Sequence, residues 1–248
     1  MPGSELPSRP IFVGCCGFPA GQARTLAEQV AVEVQHTFYQ PPQLSTLARW
    51  RAAAPPSFVF AVKAWQLLTH AASSPTYRRL RRVLTETERA GAGFFRDSEI
   101  VAEAWETTRA CAAALDAPAI LFQCPARFTA TAEHIAALVG FFESAERDGR
   151  VFAWEPRGDW PRELVGDLCR DLDLWHVVDP LAVPTATPDR IYYRLHGRGS
   201  WRHRYTDDEL DELAGLLPET GETPAFVFFN NVHMGDDARR FRARLDLP

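Results

Sequence analysis

Between residues 30 and 70 the chain reads VAVEVQHTFYQPP, then a short segment ending at Trp50, then PPSFVFAVKAWQLLTH. Val30, Val32 and Val34 alternate with Ala31, Glu33 and Gln35, the period of two expected of a strand whose faces meet different surroundings. Phe58, Phe60 and Val62 alternate in the same way with Val59, Ala61 and Lys63. Each strand therefore delivers an ionisable group, Glu33 or Lys63, near its C-terminal end. Further strands are expected at 11–16, where an apolar run stops at Gly17, in AILFQC after Pro118, and at 151–155, 174–179, 191–196 and 225–230.

Helical segments fall between them. Residues 24–29 and 44–53 read as short helices, and the stretches 75–89 and 97–115 as helical parts of one long connection. The clearest amphipathic helix spans 129–147, with Ile135, Leu138, Val139 and Phe142 at helical spacing. Residues 161–169 carry Pro in the first turn, Thr206 with Glu209 forms a capping-box signature for a helix to Leu217, and a basic helix ends the chain. About eight strands separated by helices predict an α/β protein, a parallel (β/α) TIM-type barrel forming one domain over 1–248. Residues 1–10 form a lead, and residues 64–118 a connection long enough to cover the barrel. An open doubly wound sheet is the alternative, but the first βα turn lacks the GxGxxG fingerprint.

In such a barrel outer faces pack on helices, while inner faces turn polar towards the catalytic mouth. Gln123 shares parity with Ala119 and Leu121, Glu155 with Val151 and Ala153, and Asp179 with Trp175 and Val177. Arg194 and His196 fall with Tyr192, and Asn230 with Phe226 and Phe228. If these faces point inward, Glu33, Lys63, Gln123, Glu155, Asp179, Arg194, His196 and Asn230 converge on the end where barrel enzymes place their chemistry. Such a cluster of both signs is costly to bury as an inert network.

Composition narrows the classes. With 248 residues, 46% hydrophobic and 24% charged, the chain is an ordinary globular one. A net charge of −5 argues against a surface that attracts nucleic acid throughout. No apolar run is long enough to span a bilayer, and MPGSELPSRP lacks the regions of a signal peptide, so no membrane association and a cytoplasmic location are expected. Five cysteines, an odd number with Cys15 and Cys16 adjacent and no CxxC pair, point to reduced thiols rather than disulfides or a zinc site.

Within the cluster, Glu33, Glu155 and Asp179 are candidate acids or bases whose ionisation Lys63, Arg157 or Arg194 would support. After the strand ending at His196, GRGSWRHRY brings Arg198, Arg202, His203 and Arg204 around Trp201 and Tyr205, in the place where barrels often hold a phosphate. Trp201 is suited to stacking on a base or sugar. A divalent metal held by Glu33, His36, Glu155, Asp179, His196 and His233 is the competing mechanism, although no HxH or HExxH motif supports it and no cofactor is expected. Cys15, Cys16 and Cys124 read as small buried hydrophobes, with thiol nucleophile as their other role. His70 and His134 read as structural. Arg78, Arg79, Arg81 and Arg82 read as a solvated helix face, or else a nucleic-acid contact.

The blocks GCCGF, VEVQHTFYQPP with Trp50, AVKAWQLLTH, LFQCPARF, WEPRGDW, YYRLHG and VFFNN resemble, in order and from about residue 11 to 241, those of the YecE-like family, domain of unknown function seventy-two. The resemblance implies a β/α barrel and no particular activity. Its pattern carries over to Gly14, Gly17, Glu33, Thr37, Phe38, Tyr39, Trp50, Lys63, Thr69, His70, Gln123, Pro125, Glu155, Arg157, Trp160, Arg194, His196, Gly197, Asn230 and Asn231, and so adds Thr37, Tyr39 and Asn231 to the site. The chain departs from the pattern at Cys15, Cys16 and Phe18, at Gln35-His36, and at Pro156 and Gly158, as in a divergent member whose ligand could differ. The combined expectation is an enzyme with hydrolase- or isomerase-like acid/base chemistry on a small anionic or phosphorylated substrate. Glu33, Lys63, Glu155 and His196 would be catalytic. Thr37, Tyr39, Gln123, Arg157, Asp179, Arg194, Arg198, Trp201, Asn230 and Asn231 would bind the substrate. The alternative is a nucleic-acid binding or processing protein.

Overall fold

The apolar alternations become eight short parallel strands. These are β1 (Ile11–Cys16), β2 (Ala31–Val34), β3 (Val59–Lys63), β4 (Ala119–Gln123), β5 (Val151–Glu155), β6 (Leu174–Val178), β7 (Ile191–Leu195) and β8 (Ala225–Phe229). They pair in chain order, and β8 closes on β1, giving a closed barrel. This computed structural model describes residues 9–218, 220–221 and 223–247, so most of the expected lead and position 248 lie outside the described residues.

The inward parity is the one the alternation assigned. Ala31, Ala61, Ala119 and Ala153 of β2 to β5 pack with Trp175, Tyr192, Phe226 and Phe228 of β6 to β8. Small side chains on one half of the wall thus make room for large rings from the other, which fills the barrel. Leu121 of β4 completes this plug, and the inward positions above it on β2, β3, β4, β5 and β7 are Glu33, Lys63, Gln123, Glu155 and Arg194, so the polar layer sits directly on it. Gly14 is dictated by the same packing, because a Cβ there would lie 2.1 Å from the Ala31 carbonyl oxygen.

The helices are α1 (Gln22–Glu28), α2 (His36–Tyr39), α3 (Leu44–Ala53), α4 (Gln66–Thr69), α5 (Glu86–Gly91), α6 (Glu99–Ala114), α7 (Ala132–Ser144), α8 (Arg162–Asp171), α9 (Asp207–Gly215) and α10 (Met234–Arg244). At α9 the Thr206–Glu209 capping box forms both of its reciprocal hydrogen bonds. The expected helical stretch 75–89 is interrupted. Pro75–Arg79 is a 3-10 turn, and a second capping box, Thr85 with Glu88, restarts the chain as α5. Four expected strands, β4, β6, β7 and β8, end one residue early; after β6 and β7 the Asp179 carboxylate accepts the backbone N–H groups of His196 (3.0 Å) and Leu181 (3.2 Å). Two four-residue helices, α2 and α4, were not expected; they follow β2 and β3 at the same end of the barrel. Among the described residues no helix is long and apolar enough to cross a membrane.

Candidate functional site

The polar layer is built around one guanidinium. Arg194, only 1% exposed, grips Glu33 with two donors, Nε to Oε2 at 3.1 Å and Nη2 to Oε1 at 2.9 Å, and gives Nη1 to Glu155 Oε2 at 2.6 Å. Removing a guanidinium from water costs several kcal/mol, and here two carboxylates offset it with fork geometry. Glu33 is 0% exposed and takes further bonds from the Tyr192 hydroxyl (2.7 Å), the Cys16 thiol (3.3 Å) and the Gln35 amide. Burial, reinforced by Glu33, pushes the Cys16 thiol and the Tyr192 phenol far above their ordinary values, so both remain protonated.

Above this layer opens a cleft of about 760 Å³. Lys63 lies on its wall with Nζ 4.1 Å from the Phe38 ring centre, donating to the Gln123 side-chain oxygen. Burial and then Arg194 push the Lys63 amine down to about 8, against the opposing pull of Glu33 and Glu155. Arg157 places Nη2 2.5 Å from Glu155 Oε1 and 2.6 Å from His196 Nε2. The His196 ring sits among three polar groups, with Nε2 also 3.4 Å from Glu155 Oε1 and Nδ1 3.1 Å from the Asn230 side-chain nitrogen. Burial alone would raise the Glu155 carboxyl, but Arg194, His196 and Arg157 outweigh it and hold it far below the usual carboxylate range.

The opposite wall comes from α2 and the long connection. The Arg79 guanidinium lies 3.9 Å over the Tyr39 ring, and His36 and His70 complete that side. Burial, then Arg79, lowers the basicity of His36; burial, then Lys63, pushes His70 down to about 3. Both imidazoles are therefore neutral where a second positive charge would repel. Lys63, Arg79 and Arg157 line the cleft, and among the described lining residues there is no carboxylate.

The structure brings Tyr39, Lys63, Gln123, Arg157, His196 and Asn230 together around this cleft, with Glu33, Glu155 and Arg194 beneath it. It places the other expected residues elsewhere. The Thr37 hydroxyl donates to the Val34 and Lys63 carbonyls, joining α2 to β3. Asp179 orders the loops after β6 and β7, and Asn231 donates to the His203 carbonyl and to Asp237, both at 2.7 Å. The basic loop after β7 is not a free cationic face: Arg198 pairs with Glu209 and Glu212, Arg204 with Asp236, and His203 with Glu209. Trp201 is 61% exposed, with Arg202 over its ring, and lies outside the cleft lining. The cleft cations Lys63, Arg79 and Arg157 come instead from β3, the long connection and the segment after β5. Sequence reasoning missed Arg79, hidden among three similar arginines, and Gln35 and His70, which only the short helices aim inward. Burial pushes Cys15 up to about 12 and Cys124 further, so both remain thiols. Among the described residues no three of His, Cys, Asp and Glu gather as a metal ion requires.

The class defined so far is a parallel eight-stranded β/α barrel with a cationic cleft at the C-terminal ends of its strands. The chain belongs to the family described as protein of unknown function DUF72, which matches residues 24–247. Its fold is similar to that of a DUF72 family protein from Enterococcus faecalis (TM-score 0.71, 18% identity, covering 97% of this chain and 99% of that one). It is likewise similar to one from Thermotoga maritima (TM-score 0.65, 19% identity, 96% and 99% covered). A xylose isomerase domain containing protein from Salmonella typhimurium shares the barrel at a TM-score of 0.54 and 10% identity, with 98% and 97% covered. No curated protein matches the chain.

Proposed function

We propose that the barrel mouth is the active site of an enzyme acting on a small anionic or phosphorylated substrate. The observation that carries this reading is the division of charge. Glu33 and Glu155 are locked beneath the cleft by Arg194, while Lys63, Arg79 and Arg157 present cations to its interior without an acidic neighbour on the wall. An anion entering there meets donors from three separate elements and displaces no ion pair among them except the contact of Arg157 with Glu155.

The chemistry falls to different groups from those that the sequence alone favours. A carboxylate held as strongly ionised as Glu155 is a poor proton acceptor, so its part is to position Arg157 and His196. Lys63, with its proton loosely held, and His196, an imidazole on the cleft wall, are the groups suited to moving a proton. Such a pair fits isomerase- or hydrolase-type transfer next to a carbonyl or phosphoryl group. The nucleic-acid alternative would draw on the loop after β7, whose arginines and histidine are instead largely paired with acids of α9 and α10.

Calorimetric titration of the whole protein with inorganic phosphate and pyrophosphate tests the reading. Binding is expected at one site, with Arg79→Met and Arg157→Met each weakening it about tenfold or more, the effect of losing one charged hydrogen bond. Unchanged affinity in both variants would overturn it.

A further inference from the structure

One residue type isolates a single position in this chain. Of its 27 lysines and arginines only one is a lysine, and it is Lys63. Wherever else the protein uses a long cationic side chain, arginine serves. The exception stands at the C-terminal end of β3, on the cleft wall, with its ammonium against the Phe38 ring. Charge does not distinguish the two residue types, and an arginine can also lie over a ring. What a lysine has and an arginine lacks is an amine that can shed its proton and attack carbon.

The surroundings of Lys63 suit that use. Among the described residues it forms no ion pair, because Arg194 engages both nearby carboxylates; its one side-chain partner is the neutral amide of Gln123. A lysine held only by an amide keeps a nucleophile that an ion pair would mask. The charged and titratable groups facing it are Arg194 on β7, Glu33 on β2, Glu155 on β5, Cys16 on β1 and His70 after α4. Arg79 and Arg157 stand on the same cleft to hold a substrate's carboxylate or phosphate.

Resting on the anion-site reading above, we infer that Lys63 is a catalytic nucleophile that forms an imine with the carbonyl carbon of a 2-oxo acid or a phosphorylated ketone or aldehyde. The amine nitrogen attacks the carbonyl carbon, the C=O electron pair moves to oxygen, and His196 relays the proton released by nitrogen to that oxygen. The proton that the Lys63 ammonium gave up on becoming an amine returns to the hydroxyl of the carbinolamine, which leaves as water as the C=N bond forms. No oxidant or reductant enters. The imine then withdraws electrons from the neighbouring carbon, which makes loss of a proton there, or cleavage of the next bond, the reaction class the site serves.

The sequence makes the test unusually clean, since the only other primary amine is that of the chain terminus. The full protein is incubated separately with pyruvate and with dihydroxyacetone phosphate, reduced with borohydride, and examined by intact mass and peptide mapping. At least one of the two probes should leave a single reduced adduct on Lys63, formed faster as pH rises towards about 8, the value to which the amine is shifted. Lys63→Arg, with its fold checked by circular dichroism, should leave none beyond the terminal amine. Absence of a Lys63 adduct with both probes would overturn the inference, as would equal labelling of Lys63→Arg. A phosphate titration on the same wild-type sample separates the two readings: binding without adduct rejects the imine alone, whereas neither binding nor adduct rejects the anion site as well.

Discussion

Individual side chains here are governed by which of them shares a counterion. Arg194 takes two carboxylates, which leaves Lys63 with an amide and Arg157 with a share of Glu155. The same field sets the imidazoles, and it fixes the acid sensitivity of the fold. His70 is pushed down to about 3, by burial first and Lys63 second, and His176 to about 4, by burial and then Arg162. Between these values and the ordinary 6.5 the unfolded chain binds more protons than the folded one. The stability that the neutral rings contribute is therefore complete above 6.5 and is lost as pH falls through that window. Urea midpoints measured downward from about pH 6.5 should fall, and His70→Gln should flatten the decline; a slope identical to that of the wild type would show that His70 does not charge on unfolding.

Among the elements, strand placement was written in the alternation of side chains. Residues 151–155 form β5 as expected, and the shared parity of Ala119 with Gln123 and of Tyr192 with Arg194 identified the inner face. Helix α3 has the expected bounds, 44–53. What the pattern could not reveal are α2 and α4, because four residues complete only one turn and show no periodicity, yet these turns bring His36, Tyr39 and His70 to the cleft. The 3-10 turn at Pro75–Arg79 escaped for the same reason, and with it the separation of Arg79 on the cleft from Arg82, which pairs with Glu88 and Glu103. Contact between β1 and β2 depends on a missing side chain. Gly14→Ala should cost on the order of 3 kcal/mol in urea unfolding because its Cβ has no room beside Ala31. Gly140→Ala in α7, where a Cβ meets nothing within 4 Å, should instead gain up to about 1 kcal/mol from helix propensity. Equal effects of the two substitutions would mean that the β1–β2 contact is looser than described.

For the molecule as a whole, the sequence was informative about convergence and less so about polarity of charge. It predicted that Glu33, Lys63, Gln123, Glu155 and Arg194 meet at one end of a closed barrel, and they do. Which charges would remain free could not be read, because that depends on pairings 161 and 39 residues apart, Arg194 with Glu33 and with Glu155. Nor could the sequence show that the arginine-rich loop after β7 would meet acids on α9 and α10. Long-range pairing assigned the carboxylates to the support of the site and left the cations to face the opening. The most direct test of this arrangement is a crystal of the full protein soaked in pyrophosphate. The anion should lie between Lys63, Arg79 and Arg157, with Glu33 and Glu155 still bound to Arg194; pyrophosphate seated on the loop of Arg198 to Arg204 with the cleft vacant would contradict it.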